Sequence, residues 1–111
     1  MYRVVIADDE VRICRLIQYL VDWEGLGLEA TAVVHTGTEA LQAIRELHPD
    51  IVITDIKMPE LSGLELLEKI HESNANIRCL VISGYRKFEY VQEALRYGAE
   101  DFILKPIKKQ I

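Results

Sequence analysis

The chain has 111 residues, one domain's worth, with half of them apolar and 28% charged, an ordinary composition for a soluble protein with a single core. A net charge of -5, with basic clusters only at Tyr85-Arg86-Lys87 and from Lys105 to Lys109, argues against direct nucleic-acid binding by this segment. No apolar run is long enough to span a membrane, no signal-peptide pattern opens the chain, and Cys14 and Cys79 lie far apart among apolar neighbours as small buried hydrophobes, all of which points to the cytoplasm.

The first strand is expected at Arg3–Ala7 (RVVIA), short and rich in Val and Ile. From Val11 to Trp23 the pattern turns helical, with Cys14, Ile17, Leu20 and Val21 on one side. Glu29–Val34 (EATAVV) is the second strand, and Thr36 to Leu47 a second helix opened by the capping box Thr36-Gly-Thr-Glu39. Ile51–Thr54 (IVIT) is the third strand, followed by a helix over Ser62 to Ser73 that opens on another capping box, Ser62-Gly-Leu-Glu65. Cys79–Ser83 (CLVIS) is the fourth strand. Phe88 to Tyr97 then presents Val91, Ala94 and Leu95 inward and stops at Gly98, a residue suited to a helix end. Asp101–Leu104 (DFIL) is the fifth strand, and a fifth helix is expected to begin at Ile107 and be cut short at Ile111.

This alternation predicts an α/β fold: parallel strands, right-handed crossovers and helices on both faces, with residues 1–111 as one domain. Trp23, Tyr85, Phe88, Tyr90 and Tyr97 are expected to cover the core or its rim. His35, His48 and His71 show no metal-ligand spacing, and only His35, just past the second strand, comes near the strand ends.

Function in such a sheet sits beyond the carboxyl ends of the strands. There the sequence gathers Asp8, Asp9 and Glu10 after the first strand and Asp55, then Ile56-Lys57-Met58-Pro59, after the third. Ser83-Gly84 closes the fourth strand and Lys105-Pro106 the fifth. Hard carboxylate oxygens suit Mg²⁺, which keeps several waters and takes phosphate oxygens. A central carboxylate can attack phosphorus to give an acyl phosphate, whose oxygens then need a hydroxyl and an ammonium as donors. An acid that closes the apolar run IVIT has little structural purpose of its own, whereas Ser83 alone would also serve as a turn residue.

With these motifs in order, VVIADDE, IVITDIKMPELSG, LVISG and DFILKPI, the chain from Val4 to Ile111 resembles the receiver domain of bacterial two-component response regulators. The resemblance implies a flavodoxin-like, doubly wound five-stranded parallel sheet of order 2-1-3-4-5. It makes Asp55 the phosphoacceptor, charged by a sensor histidine kinase. It assigns Mg²⁺ to Asp8, Asp9, Asp55 and the backbone carbonyl of Lys57, with Asp9 the direct ligand and Asp8 acting through water. Glu10 falls outside that pair and starts the first helix. Ser83 becomes the switch hydroxyl and Phe102 the switch aromatic, and Lys105, aimed by a cis Lys105-Pro106 bond, pairs with the phosphoryl group. The stretch from Tyr85 to Tyr90 is similar to receivers whose full-length proteins carry a C-terminal DNA-binding domain of the arabinose-regulator (AraC) type. The implied protein is a phosphorylation-controlled switch that assists its own phosphorylation and dephosphorylation, not an enzyme that releases a product. It would act on its own output domain and as a homodimer.

Two other readings compete. A haloacid-dehalogenase-type phosphatase would want its nucleophile on the first strand with an Asp two residues on, where this chain has Asp8 and then Glu10. A flavodoxin-like binding module would want a hydroxyl-rich loop where this chain is acidic. Neither explains Asp55, Ser83 and Lys105 together.

Overall fold

A computed structural model describes residues 1–73, 75–85 and 87–107. Five parallel strands, β1 (Tyr2–Ala7), β2 (Leu28–Val34), β3 (Ile51–Thr54), β4 (Arg78–Ser83) and β5 (Asp101–Leu104), form one sheet in the order β2-β1-β3-β4-β5. The helices are α1 (Val11–Leu20), the short α2 (Trp23–Leu26), α3 (Gly37–Leu47), α4 (Gly63–Glu72) and α5 (Phe88–Arg96).

The pleat sends alternate side chains of each strand to opposite faces, and the sequence supplies apolar groups to both. Val5, Ala7, Val52, Cys79 and Val81 pack against Ala40 and Ile44 of α3, Leu66, Leu67 and Ile70 of α4, and Ala94 of α5. Val4, Ile6, Ile53 and Ile82 face the other way, against Cys14 and Ile17 of α1 and against Val21. Ile107, the expected start of a fifth helix, is half-buried against this second face, and residues 108–111 lie outside the described residues.

Capping fixes where the helices start. Ser62 accepts from the Glu65 amide while the Glu65 carboxylate accepts from the Ser62 amide, a complete capping box. At α3 only half of the box forms: Thr36 accepts from the Glu39 amide, and the Glu39 side chain takes the His35 amide instead. After α5 the Gly98 amide donates to the Leu95 carbonyl and the Ala99 amide to Ala94, with Gly98 at φ +83, a Schellman ending.

Two expectations need correction. The helix over Val11 to Trp23 is two elements, because Val21 turns extended and the Asp22 side chain accepts from the Gly25 amide at 3.1 Å to cap a new turn. On α5 the inward face is narrower than the apolar pattern suggests. Ala94 is buried, but Leu95 is 58% exposed; of the aromatics, Trp23, Tyr90 and Tyr97 pack against the core, while Phe88 at 73% and Tyr85, before α5, at 44% are exposed.

Candidate functional site

The pairing β1–β3 sets Ala7 level with Thr54, so Asp8 and Asp55, the next residue on each strand, emerge side by side. The Asp55 amide donates to the Ala7 carbonyl at 2.9 Å and locks this register. Sheet order reverses at β1 and β3, where the crossovers leave in opposite directions and a crevice opens above the strand ends. On the β4–β5 side, Ser83 pairs with Leu104, and the Lys105 amide donates to the Ser83 carbonyl at 2.8 Å. The Lys105-Pro106 bond is cis.

Lys105 crosses this edge. Its ammonium lies 3.0 Å from Asp8 Oδ2, 3.0 Å from Asp55 Oδ2 and 3.2 Å from Glu10 Oε1. The remaining oxygens of the two buried acids have backbone donors: Asp55 Oδ1 accepts from the Ile56 amide at 2.7 Å, and Asp8 Oδ1 from the Glu10 amide at 2.9 Å. Glu10 itself occupies the N-cap position of α1, at the helix start the sequence implies. Ligand atoms of Asp8, Asp9, Glu10 and Asp55 all lie within 4.8 Å of one another.

Burial dominates the titration of this group. It pushes the Asp8 carboxyl up to about 6, against the opposing pull of the Glu10 amide and Lys105. Asp55 is raised for the same first reason, again opposed by Lys105. Lys105 is partly desolvated, which alone would lower its pKa, but its bonds and charge pairing with Asp8 and Asp55 outweigh that and raise it. The result is a fixed cation between two buried acids, Asp8 and Asp55, that resist ionising.

The donor set fits a hard divalent cation. It is all carboxylate oxygen, and Asp8 Oδ2 is buried without a hydrogen bond, the nearby ammonium reaching it only as an ion pair. Asp9 is exposed at the rim. Lys57 is also exposed, with its ammonium 4.4 Å from the centre of the Tyr85 ring, so the loops after β3 and β4 meet over this edge.

Ser83 is fully buried, and its hydroxyl accepts from the Tyr85 amide at 3.1 Å, the turn role open to any serine here. Phe102 is half-buried against the core beneath α3, α4 and α5.

One further site residue, Gly63, escapes sequence reasoning, and a second, His35, falls near the strand ends in the sequence but has no role assigned to it there. A Cβ on Gly63 would lie 1.8 Å from the Asp55 carbonyl oxygen, and the Gly63 amide donates to Ile56 at 2.6 Å, so the start of α4 is pressed against the Asp55 loop. Glycine directly after the capping serine is the one signal in the sequence. His35 is the other: its ring Nδ1 lies 2.8 Å from the Asp8 carbonyl oxygen.

Fold and site together define an α/β module built around an acidic pocket, closed by a lysine, at the switch point of its sheet. A family model for the response regulator receiver domain matches residues 4–111, and the chain belongs to this family. It is 39% identical over 110 residues to the uncharacterized transcriptional regulatory protein YesN of Bacillus subtilis (strain 168), covering 99% of this chain and 30% of that protein. The chain spans less than half the length of the curated relatives it matches, 30% of one and 42% of another. Among solved structures, the receiver domain of AraT, a response regulator from Geobacillus stearothermophilus, superposes with a TM-score of 0.89 at 36% identity, over 96% of this chain and 83% of that one. The CheX-CheY-BeF3-Mg complex from Borrelia burgdorferi gives a TM-score of 0.86 at 30% identity, over 96% and 80%. The chain is thus a receiver domain of a two-component response regulator with relatives that regulate transcription, and the phosphatase and flavodoxin-like readings fall away.

Proposed function

We propose that Asp55 accepts a phosphoryl group from the phosphohistidine of a sensor histidine kinase. The ionised Asp55 oxygen attacks phosphorus, the phosphorus–nitrogen bond breaks with its electron pair returning to the imidazole, and an acyl phosphate remains on Asp55. The observation that carries this reading is the Asp55 carboxylate itself: buried, level with Asp8, one oxygen bonded by the Ile56 amide and the other left to Lys105 at 3.0 Å. Lys105 opposes the burial that raises Asp55 and stands where phosphoryl oxygens would need a cation.

Asp8, Asp9, Asp55 and the backbone carbonyl of Lys57 would hold Mg²⁺, with Asp9 the direct ligand and Asp8 acting through water. When bound, the ion neutralises the carboxylates and withdraws charge from the phosphoryl oxygens. The Borrelia CheY complex, 30% identical, holds BeF3 and Mg, which supports Mg²⁺ as the ion.

In the phosphorylated state the Ser83 hydroxyl leaves the Tyr85 amide for a phosphoryl oxygen, and Phe102 follows it inward. The surface made by α5, β5 and the segment after it then changes, which biases homodimerisation and contacts with a C-terminal DNA-binding output domain. Phosphorylation shifts a pre-existing two-state equilibrium, so the domain works as a switch, in the cytoplasm where kinase and DNA are found. Tyr85, held by Lys57 over the same edge, shields the acyl phosphate from water and lengthens its lifetime.

Incubation with a small acyl phosphate donor and Mg²⁺, read by intact mass, tests the reading. One added phosphoryl group in the wild type and none in Asp55→Asn is expected. An inert wild type together with a modified Asp55→Asn protein would sink it.

A further inference from the structure

We propose that His35 is a positioning residue for the metal site: its ring holds the Asp8 peptide and thereby aims the Asp8 carboxylate. The inference rests on the Mg²⁺ reading above. Asp8 is the first residue beyond β1, where the ladder to β2 runs out. Its amide still donates to the Val34 carbonyl at 3.1 Å, the last rung. β2 ends at Val34, and the His35 amide is turned away to the Glu39 carboxylate at 3.3 Å as α3 begins. The Asp8 carbonyl is therefore served by side chains. His35 Nδ1 lies 2.8 Å from it, placed to donate as an Nδ1–H ring, and the weak Cys14 thiol donor lies 3.5 Å away.

Every polar atom of Asp8 but one is then tied down. Its amide is held by Val34, its carbonyl by His35 and Cys14, and Oδ1 by the Glu10 amide. The atom left over is Oδ2, buried, held only by its ion pair with the Lys105 ammonium at 3.0 Å and with no hydrogen bond among the described residues. A short carboxylate has only two side-chain torsions, so with its peptide held by Val34 and His35 and its Oδ1 held by the Glu10 amide, little freedom remains in where Oδ2 points. A donor that orients a metal-binding group without touching the metal normally matters to affinity by about tenfold or more.

The bond requires the Nδ1–H tautomer of a neutral or charged ring. An asparagine at this position offers an amide nitrogen at the same distance along the side chain as Nδ1, whereas leucine fills similar space with no donor.

The experiment titrates Mg²⁺ alone into metal-free wild type, His35→Leu and His35→Asn by calorimetry, with a thermal melt of each. In parallel, ring ¹⁵N spectra of the wild type identify the His35 tautomer. Expected are a loss of about tenfold in Mg²⁺ affinity for folded His35→Leu, near wild-type affinity for His35→Asn, and a protonated Nδ1. Wild-type affinity in His35→Leu, or equal loss in both variants, overturns the positioning role. Wild type that ignores Mg²⁺ overturns the metal reading itself, a distinct result. Should His35→Leu fail to fold, the tautomer decides: an Nε2–H ring with bare Nδ1 overturns the proposal, and an Nδ1–H ring with full affinity in His35→Asn supports it.

Discussion

Replacing Asp8 by asparagine should make the metal-free protein more stable at neutral pH and flatten its stability profile in acid. Asp8 is 1% exposed, and its carboxyl is raised from 3.8 to about 6 chiefly by burial. A raised acid binds its proton more tightly folded than unfolded, so the stability it lends is fully present below about pH 4. That stability drains away as pH rises through the window up to about 6, and is gone above it. A shift of about two units corresponds to roughly 3 kcal/mol, an upper bound for the cost of keeping Asp8 ionised at pH 7. Asp8→Asn removes that cost while Lys105 keeps Asp55 and Glu10 as partners, although the new amide group faces an ammonium; a gain of roughly 1–3 kcal/mol at pH 7 is expected. Asp55 is raised in the same direction, so part of the acid slope survives in the variant. Urea unfolding in EDTA at several values between about pH 4 and about pH 7 measures both quantities. Mg²⁺ at a hundred times its Kd adds about 2.7 kcal/mol to the wild type, nearly offsetting the Asp8 penalty. Parallel stability–pH curves for wild type and Asp8→Asn would refute the reasoning.

Gly63→Ala drives a Cβ into the Asp55 carbonyl and should cost about 3 kcal/mol or more, with loss of phosphoryl uptake even in molecules that remain folded; urea unfolding and intact mass read the two effects. Lys105→Met leaves buried carboxylates without their cation, so metal-free stability should fall by about 3 kcal/mol while Mg²⁺ affinity rises because a competitor for Asp8 and Asp55 is gone; weaker Mg²⁺ binding in calorimetry would contradict this. Tyr85→Ala should shorten the phosphoryl lifetime measured after donor removal, and faster hydrolysis in the wild type would contradict the shielding role.

The central strands β1, β3 and β4 were legible as short Val/Ile-rich runs buried on both faces, and β3 and the half-buried edge strand β5 fall on the residues the apolar runs mark. The site followed from the same logic: parallel strands deliver their carboxyl ends to one edge, so Asp8, Asp55, Ser83 and Lys105 had to be neighbours. Periodicity misled where two structures share one pattern. Val21 and Trp23 continue the apolar rhythm of α1, but Asp22 between them is a better cap than helix interior. Leu95 lies one residue from buried Ala94 and 100° around the helix, enough to carry it to solvent. The sequence placed His35 near the strand ends and Gly63 after a capping serine, but their roles needed tertiary distances, since one acts through the carbonyl just beyond β1 and the other through the absence of a Cβ.

In the proposed switch one residue, Asp55, carries the phosphoryl group. Borohydride reduction of freshly phosphorylated protein converts an acyl phosphate into an alcohol, marking the modified carboxylate for peptide mass mapping. Reduction at position 55, dependent on both donor and Mg²⁺, is the predicted result. A mark at Asp8, Asp9 or Glu10 instead, or no mark on a protein that has gained the phosphoryl mass, would contradict it.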